Sequence, residues 1–176
     1  MKRRLVHIIW LSMTLPLSGC GYTRSGDEPS GGYQWRSLYR EDVKTVAVPI
    51  FTNKDFTRGI EFALTQAVIR QLEAHSPYKV APPQRADTIL EGQITSVRRD
   101  TINRDRNTGL PEEQLYIVTL DLIWKDLRTG QILLERRNFE QTTPYYPTLG
   151  EGQFHAGQQS VERLALAIVQ ELQADW

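Results

Sequence analysis

The residue with the clearest chemistry in this chain is Cys20, the only cysteine of the sequence. Its thiol follows the small residues Ser-Gly at 18–19, which suit cleavage by a signal peptidase. Residues 2–4 are Lys-Arg-Arg, and the mostly apolar run 5–17 is too short to span a bilayer. The pattern is typical of an export signal that ends on a nucleophilic thiol, so the expected chemistry is covalent modification of Cys20.

The segment Leu-Ser-Gly-Cys at 17–20 resembles the bacterial lipobox. This resemblance implies that residues 1–19 are a lipoprotein signal peptide and are removed. Cys20 would then carry a thioether-linked diacylglycerol and an amide-linked acyl chain, the only non-protein group expected. Each buried CH2 contributes about 0.8 kcal/mol, so several chains would hold the protein on a membrane. Gly21 leaves the route to the outer membrane open, and an ordinary secretory signal with an incidental cysteine is the alternative.

Four arginines form a second group that could bind a ligand: Arg98, Arg99, Arg104 and Arg106. They surround a predicted loop between two strands, and two aspartates lie among them. A guanidinium binds phosphate oxygens through paired hydrogen bonds. The pattern therefore allows contact with the phosphate groups of a lipid or glycolipid such as lipopolysaccharide. A solvated hairpin tip is the alternative interpretation of the same residues.

Three aromatic residues are a candidate partner surface: Tyr145, Tyr146 and Phe154. Aromatic side chains are enriched at protein interfaces. Packing in the core, or an ordered loop, would explain the same residues.

The sequence contains no recognisable catalytic or metal-binding pattern. His75 and His155 lie at a predicted helix end and a predicted helix start, without a partner at ligand spacing. Residues 150–152 (Gly-Glu-Gly) lack the third glycine and the preceding strand of a dinucleotide-binding loop. Glu112 and Glu113 are interpreted as a solvated loop tip. We therefore predict no enzyme, no catalytic residue, no metal and no cofactor, with an acid–base pair assembled by the fold as the remaining alternative.

Composition and charge limit the class of protein. The chain has 21 basic and 21 acidic residues, and loss of the signal peptide leaves a small negative net charge. That balance argues against a nucleic-acid-binding surface. Residues 20–36 are rich in glycine and serine and are predicted to be the lipidated N-terminus and a flexible tether. Residues 37–176 are predicted to form a single domain.

Hydrophobic periodicity predicts two amphipathic helices, over 57–74 and 154–174, with Asp55 or Thr57 capping the first and Ser76-Pro77 ending it. Predicted strands cover 44–51, 78–80, 88–97 (loosened by Gly92), 115–125 and 132–141, with a hairpin loop at 126–130.

The order of these elements is β-α-β-β-β-β-α. It favours an α+β fold, in which the two helices pack on one face of a mostly antiparallel sheet of four to five strands.

Several segments resemble the LptE family, in its non-enterobacterial branch: residues 20–22, 44–53, 58–61, 64–67, 86–92 and 124–130. The likeness covers nearly all of the chain after residue 19. It implies two helices against a mostly antiparallel sheet, in agreement with the order above. It also implies a non-enzymatic outer-membrane lipoprotein, lying on the periplasmic side or inside a barrel lumen. Its partners would be the membrane, lipopolysaccharide and an LptD-type β-barrel protein. It would help to assemble this barrel and would plug its lumen. In this way it would aid the insertion of lipopolysaccharide at the cell surface.

Two other classes of protein remain open from the sequence. The start of the domain and the helix after it are also similar to domains of curli-type secretion lipoproteins and Tol-associated proteins. Such a protein would be a structural or secretion-system component that oligomerises or bridges to peptidoglycan. A lipid-anchored hydrolase would need a nucleophile arrangement that the sequence does not display.

Overall fold

The structure is a computed structural model that describes residues 37–150 and 152–173. Cys20, the predicted signal peptide and the predicted tether therefore lie outside the described residues. The elements in chain order are β1 (Thr45–Ala47), β2 (Thr52–Asn53), α1 (Ile60–His75), β3 (Lys79–Val80), β4 (Thr88–Arg104), β5 (Pro111–Asp126), β6 (Ile132–Tyr145), a 3-10 helix (Pro147–Leu149) and α2 (Gln153–Glu171).

The strands form one mixed sheet in the order β3-β1-β4-β5-β6, and β2 also pairs with β4. β1 is parallel to both β3 and β4, and β2 is parallel to β4. β4, β5 and β6 form an antiparallel meander. The α+β fold is confirmed, but the sheet has six strands and is mixed, where we predicted four to five mostly antiparallel strands. The sheet is mixed because α1 is a crossover connection, which returns the chain to a strand, β3, that is parallel to β1.

The predicted first strand, 44–51, was expected to end near Pro49; within it only β1 forms, and β2 begins after it at Thr52. Proline has no N–H to donate to a strand ladder. Just after it, the Phe51 N–H donates to the Thr65 hydroxyl on α1 over 3.0 Å, instead of to a neighbouring strand. The chain resumes pairing only at Thr52.

α1 begins later than predicted, because the chain turns at Gly59 with φ of 89°. Few residues other than glycine adopt this backbone conformation. Asp55 does not cap the helix; its carboxylate instead accepts hydrogen bonds from the backbone N–H groups of Thr57 and Val97. Glu61 accepts the Gly59 N–H over 3.1 Å. The predicted end at Ser76 is confirmed.

The two central strands extend well beyond their predicted ends. β4 continues to Arg104 and β5 begins at Pro111, so Glu112 and Glu113 lie in a strand and not at a loop tip. Gly92 does not loosen β4. A Cβ atom at this position would lie 2.6 Å from ring carbons of Phe51, so only glycine leaves room for the buried ring.

One hydrophobic core joins the sheet to both helices. The apolar side chains at alternate positions 116–124 of the sequence predict one buried face for β5, and this face is confirmed, since all five are buried. The apolar spacing of the helices predicts two buried stripes, and both form: Ile60, Leu64, Ala67, Val68 and Leu72 from α1, with Val161, Leu164, Ala165, Ile168 and Leu172 from the α2 region. Ala63 has the same spacing and was expected in the first stripe, but it is exposed. Within the described ranges, no helix has the length and hydropathy needed to cross a membrane.

Candidate functional site

The β4–β5 hairpin extends past the rest of the sheet. β6 pairs with β5 only as far as Gln114, whereas β4 and β5 stay paired to Arg104 and Pro111. The turn is closed by Asp105, whose Oδ1 accepts hydrogen bonds from the N–H groups of Asn107 and Thr108 and from the Thr108 hydroxyl. These donors, the Thr108 N–H foremost, lower the pKa of Asp105. The turn is therefore ordered by hydrogen bonds, and the Asp105 carboxylate that accepts them already has its partners within the turn.

Two of the four predicted arginines lie at this tip. The Arg104 guanidinium donates to the Gly109 carbonyl over 3.1 Å. Arg106 is exposed and makes no hydrogen bond or ion pair within residues 37–150 and 152–173. Exposed apolar side chains flank them, since Ile102 is 57% and Leu110 is 59% exposed. The tip, defined here as residues 102–110, thus combines cationic and apolar groups.

Arg98 lies on the outer face of the sheet, away from the helices. Its guanidinium forms ion pairs with Asp100 at 3.4 Å and with Glu140 on β6 at 3.5 Å. It is also in register with Ile117, which is only 3% exposed. Because its charge is already paired, Arg98 is less available to a ligand than the tip arginines.

Arg99 lies on the helix face of the sheet, in register with Tyr116. Its guanidinium donates to the side-chain oxygen of Gln153, the first residue of α2. The four arginines were predicted to surround a loop, but Arg98, Arg99 and Arg104 lie within β4. They form three separate environments and not one cluster. Whether any of them contacts lipopolysaccharide stays a prediction.

The three residues of the predicted aromatic surface do not lie in one environment. Tyr145 is only 4% exposed, and its hydroxyl donates to Gln114 over 2.6 Å, so it belongs to the core as the alternative interpretation had it. Tyr146 is partly exposed, and its hydroxyl lies 3.5 Å from Glu113. Phe154 remains a surface residue, since it is 74% exposed.

Sequence reasoning missed two exposed apolar residues, Phe56 and Leu149. Phe56 is 93% and Leu149 is 76% exposed. Phe56 precedes α1, and Leu149 lies shortly before α2, in the connection from β6. Both lie outside the periodic patterns that define the helices and strands. An apolar residue outside such a pattern was the only feature of the sequence that could have indicated an exposed side chain. Large apolar groups left in solvent in this way are characteristic of interaction surfaces when they occur together.

The described residues contain no group of three or more His, Cys, Asp and Glu side chains arranged to hold a metal ion. His75 ends α1, where its carbonyl accepts the Tyr39 hydroxyl over 2.7 Å. His155 is exposed in the first turn of α2. The two histidines therefore lie where the sequence predicted.

Comparison with known proteins gives a family and a fold. The model of the LptE family, described as lipopolysaccharide-assembly, matches residues 43–175. No curated protein matches the chain. Among solved structures, PelC of Paraburkholderia phytofirmans, a dodecamer, is 18% identical with a TM-score of 0.52, covering 77% of this chain and 93% of its own. An uncharacterised lipoprotein B of Nitrosomonas europaea is 14% identical with a TM-score of 0.53, covering 81% and 91%. At these identities the likeness shows the fold alone.

Proposed function

The chain belongs to the LptE family of lipopolysaccharide-assembly proteins, and from this membership we propose that it assembles with and plugs the LptD-type barrel of the lipopolysaccharide translocon. The observation that carries the proposal is the family match across residues 43–175. In this role the protein is held at the outer membrane by acyl chains on Cys20. It acts by binding and not by catalysis, and it aids insertion of lipopolysaccharide at the cell surface.

The hairpin tip supports a contact with lipopolysaccharide. This glycolipid combines negative charges with acyl chains, and residues 102–110 combine the exposed cation Arg106 with the exposed apolar residues Ile102 and Leu110. A guanidinium without a protein partner keeps its hydrogen-bond donors for phosphate. Within the proposed function, Arg104 and Arg106 are therefore the first contacts to test, ahead of Arg98 and Arg99.

The outer face of the sheet supports the plugging role. The interiors of outer-membrane barrels are polar. This face displays cross-strand ion pairs, Arg98 with Glu140 at 3.5 Å and Lys125 with Glu91 at 3.0 Å. A polar surface of this kind suits a lumen better than it suits lipid.

The proposal is tested by purifying the tagged, full-length protein from detergent-solubilised outer membrane and identifying what co-purifies. We expect a large barrel protein in one-to-one ratio. Recovery of the protein without a barrel partner would contradict the plugging role while leaving the family membership intact. A parallel purification of Cys20→Ala from detergent-solubilised whole cells separates loss of the anchor from loss of the partner.

A second candidate function is a structural or secretion component that oligomerises or bridges to peptidoglycan. The observation that favours it is the shared fold with PelC, which is a dodecamer. In the same purification, this function predicts a homo-oligomer, or secretion or peptidoglycan-linked proteins, in place of a barrel.

A further inference from the structure

A cleft of about 1250 Å³ separates α1 from α2 over their N-terminal halves. Further along, Arg70 of α1 and Glu162 of α2 form an ion pair at 2.5 Å, and Gln71 donates to the same carboxylate over 3.3 Å. Tyr116 of β5 and Gly157 of α2 contribute to the lining. The two helices are therefore linked near their middles and leave a recess between their first turns.

The recess has apolar walls and unfilled space between them. Ile60 of α1 and Val161 of α2 both line it and are almost fully buried, at 7% and 6% exposed. Ala63 also lines it but is exposed, although its spacing places it beside the buried stripe of α1. A methyl group is too small to close the gap between the helices, so the recess can accept a side chain from outside.

Three phenylalanine side chains stand in solvent at or beside this recess. Phe154 lines it and is 74% exposed. Phe56 is 93% exposed and directly precedes the lining residue Thr57. Phe62 is 56% exposed and lies about one helical turn before the lining residue Gln66. One face of the chain thus carries both protruding rings and an apolar recess, a combination that indicates an interaction surface.

A second copy of this chain fits such a face by shape. In a twofold dimer the same patch of both copies meets itself, so a patch with a protruding group and a recess can fill its own recess reciprocally. Phe154 stands at the edge of the cleft, and Ala63 leaves space within it. A twofold axis beside the cleft would bring the Phe154 ring of each copy into the recess of the other.

The exposed rings also supply enough area for a dimer. At about 150–250 Å² for each buried aromatic side chain, the three exposed fractions correspond to roughly 350–550 Å² per copy. Two copies would bury roughly 700–1,100 Å² from these rings alone, which approaches the total of about 1,200 Å² in the smallest standard interfaces. The walls of the cleft would add the remainder.

The charges of this face allow two copies to approach each other. The lining contains two arginines, Arg58 and Arg70, one carboxylate, Glu162, and one histidine, His155. Arg70 and Glu162 neutralise each other, and Arg58 lies close enough to Glu61 to interact with its carboxylate. Because interface cores are depleted of charged residues, this balance suits self-association better than it suits a strongly acidic or basic partner.

We propose that this cleft is a homodimer interface, in which the Phe154 ring of each copy enters the cleft of the other beside Ala63. The interface uses the helical face of the domain and leaves the hairpin tip and the outer face of the sheet free. The inference goes beyond the proposed function and does not rest on it, because it concerns the protein that is not bound to a barrel.

The first experiment replaces Phe154 with the photoreactive amino acid p-benzoylphenylalanine, which keeps an aromatic ring at this position. The full-length protein is made in cells that also express a wild-type copy with a different tag. We expect ultraviolet light to give an adduct of twice the mass that carries both tags and is crosslinked to the α1 peptide that contains Ala63. Absence of this adduct would overturn the proposal, whether position 154 then labels a different protein, a lipid or nothing.

The matched control places the same photoreactive residue at Ile50. This side chain is 59% exposed but is absent from the cleft lining. It should give no adduct that carries both tags. Equal yields from positions 50 and 154 would show that the copies meet without using the cleft and would overturn the proposal.

Two variants test the ring and the recess separately in the purified full-length protein. Phe154→Ser removes the ring, and Ala63→Gln fills the recess. Each should weaken the dimer by about tenfold or more, since a few central contacts carry most of the binding energy of an interface. Ile50→Ser is the control and should leave the dimer unchanged. Light scattering in detergent over a range of concentrations measures dimerisation, and circular dichroism verifies that each variant is folded. A dimer unaffected by both variants would contradict the assignment.

The dimer and a complex with a barrel are separate species in one detergent extract. A dimer found beside a one-to-one barrel complex supports this inference and leaves the proposed function intact. A dimer found without any barrel complex supports this inference and contradicts the plugging role. A barrel complex found without the doubly tagged adduct overturns this inference alone.

Discussion

Arg98 and Arg99 are adjacent in the chain, yet they lie on opposite faces of the sheet. Arg98 pairs with Glu140 on the outer face at 3.5 Å, and Arg99 bonds Gln153 at the start of α2 on the helix face. Successive side chains of a strand alternate between its two faces, so β4 separates neighbours that a loop would have kept together. A lipopolysaccharide contact that used both residues would have to reach both faces of the sheet.

The hairpin tip is expected to carry the lipopolysaccharide contact. Replacing both tip arginines, in Arg104→Glu with Arg106→Glu, should weaken lipopolysaccharide binding by about tenfold or more, because charge-assisted hydrogen bonds to phosphate are lost. The loss should be smaller at high salt, since exposed charges are screened. Binding of purified lipopolysaccharide to the full-length protein at two salt concentrations measures this effect.

The matched control is Arg137→Glu, which makes the same change of charge at a side chain that is 78% exposed on β6. It removes only a surface ion pair with Glu135, and exposed ion pairs of this kind contribute little to stability. Equal weakening by the control and by the tip variant would show that binding responds to net charge and not to the hairpin.

Asp87 is expected to stabilise the join between β1 and β4. Its Oδ2 accepts hydrogen bonds from the Lys44 N–H, the Thr45 N–H and the Thr45 hydroxyl at 2.9–3.1 Å. Asp87→Ala leaves these donors unpaired and should lower the free energy of unfolding by about 1.5–3 kcal/mol at pH 7. Urea denaturation followed by circular dichroism measures the change.

The contribution of Asp87 should also depend on pH. The Thr45 hydroxyl, followed by the two N–H donors, lowers the pKa of Asp87 below its ordinary value of 3.8. A carboxylate with a lowered pKa in the folded state stabilises fully above its unfolded pKa, and that stabilisation is lost as pH falls through the folded pKa. The stability difference between wild type and Asp87→Asn should therefore shrink below about pH 4. A difference that stayed constant from pH 7 to pH 2 would contradict this role.

Gly92 is expected to be required for packing of Phe51. A Cβ atom at Gly92 would lie 2.6 Å from the ring, so Gly92→Ala should cost about 1–3 kcal/mol through overpacking. Gly157→Ala is the control, because its Cβ atom would meet Tyr116 at an ordinary 3.6 Å and alanine favours a helix by up to about 1 kcal/mol. Thermal unfolding should therefore move in opposite directions in the two variants.

Cys20 is expected to determine where the protein resides. Cys20→Ala removes the only thiol, so the protein should be released to the periplasm or retained uncleaved at the inner membrane. Cell fractionation with mass spectrometry of the N-terminus measures this outcome. Normal outer-membrane localisation of the variant would refute the lipobox assignment.

The elements that carry strong periodicity could be predicted from the sequence. Leu64, Val68 and Leu72 recur at helical spacing and all are buried in α1, and the alternating residues of β5 face the core as expected. The ends of β4 and β5 were missed because residues 98–104 and 111–114 are polar apart from Ile102 and Pro111. A hairpin that extends beyond the core has no buried face, so it leaves no alternation to detect.

The candidate sites were harder to predict than the fold. The sequence identified the arginines by type, but only the length of β4 assigned them to a tip and to two opposite faces. It gave no sign that Arg99 would contact Gln153 at the start of α2, because the two residues lie far apart in the chain.

The sequence by itself determined the family, the helices and the inward face of the sheet, and it predicts the export signal, since each depends on local spacing or on composition. The tertiary structure decided the parallel pairing of β1, β2 and β3, which follows from the path that α1 takes across the sheet. It also placed Arg99 against Gln153, the first residue of α2. The physical reason is that contacts between residues far apart in the chain depend on how the elements pack, and no local pattern encodes that packing.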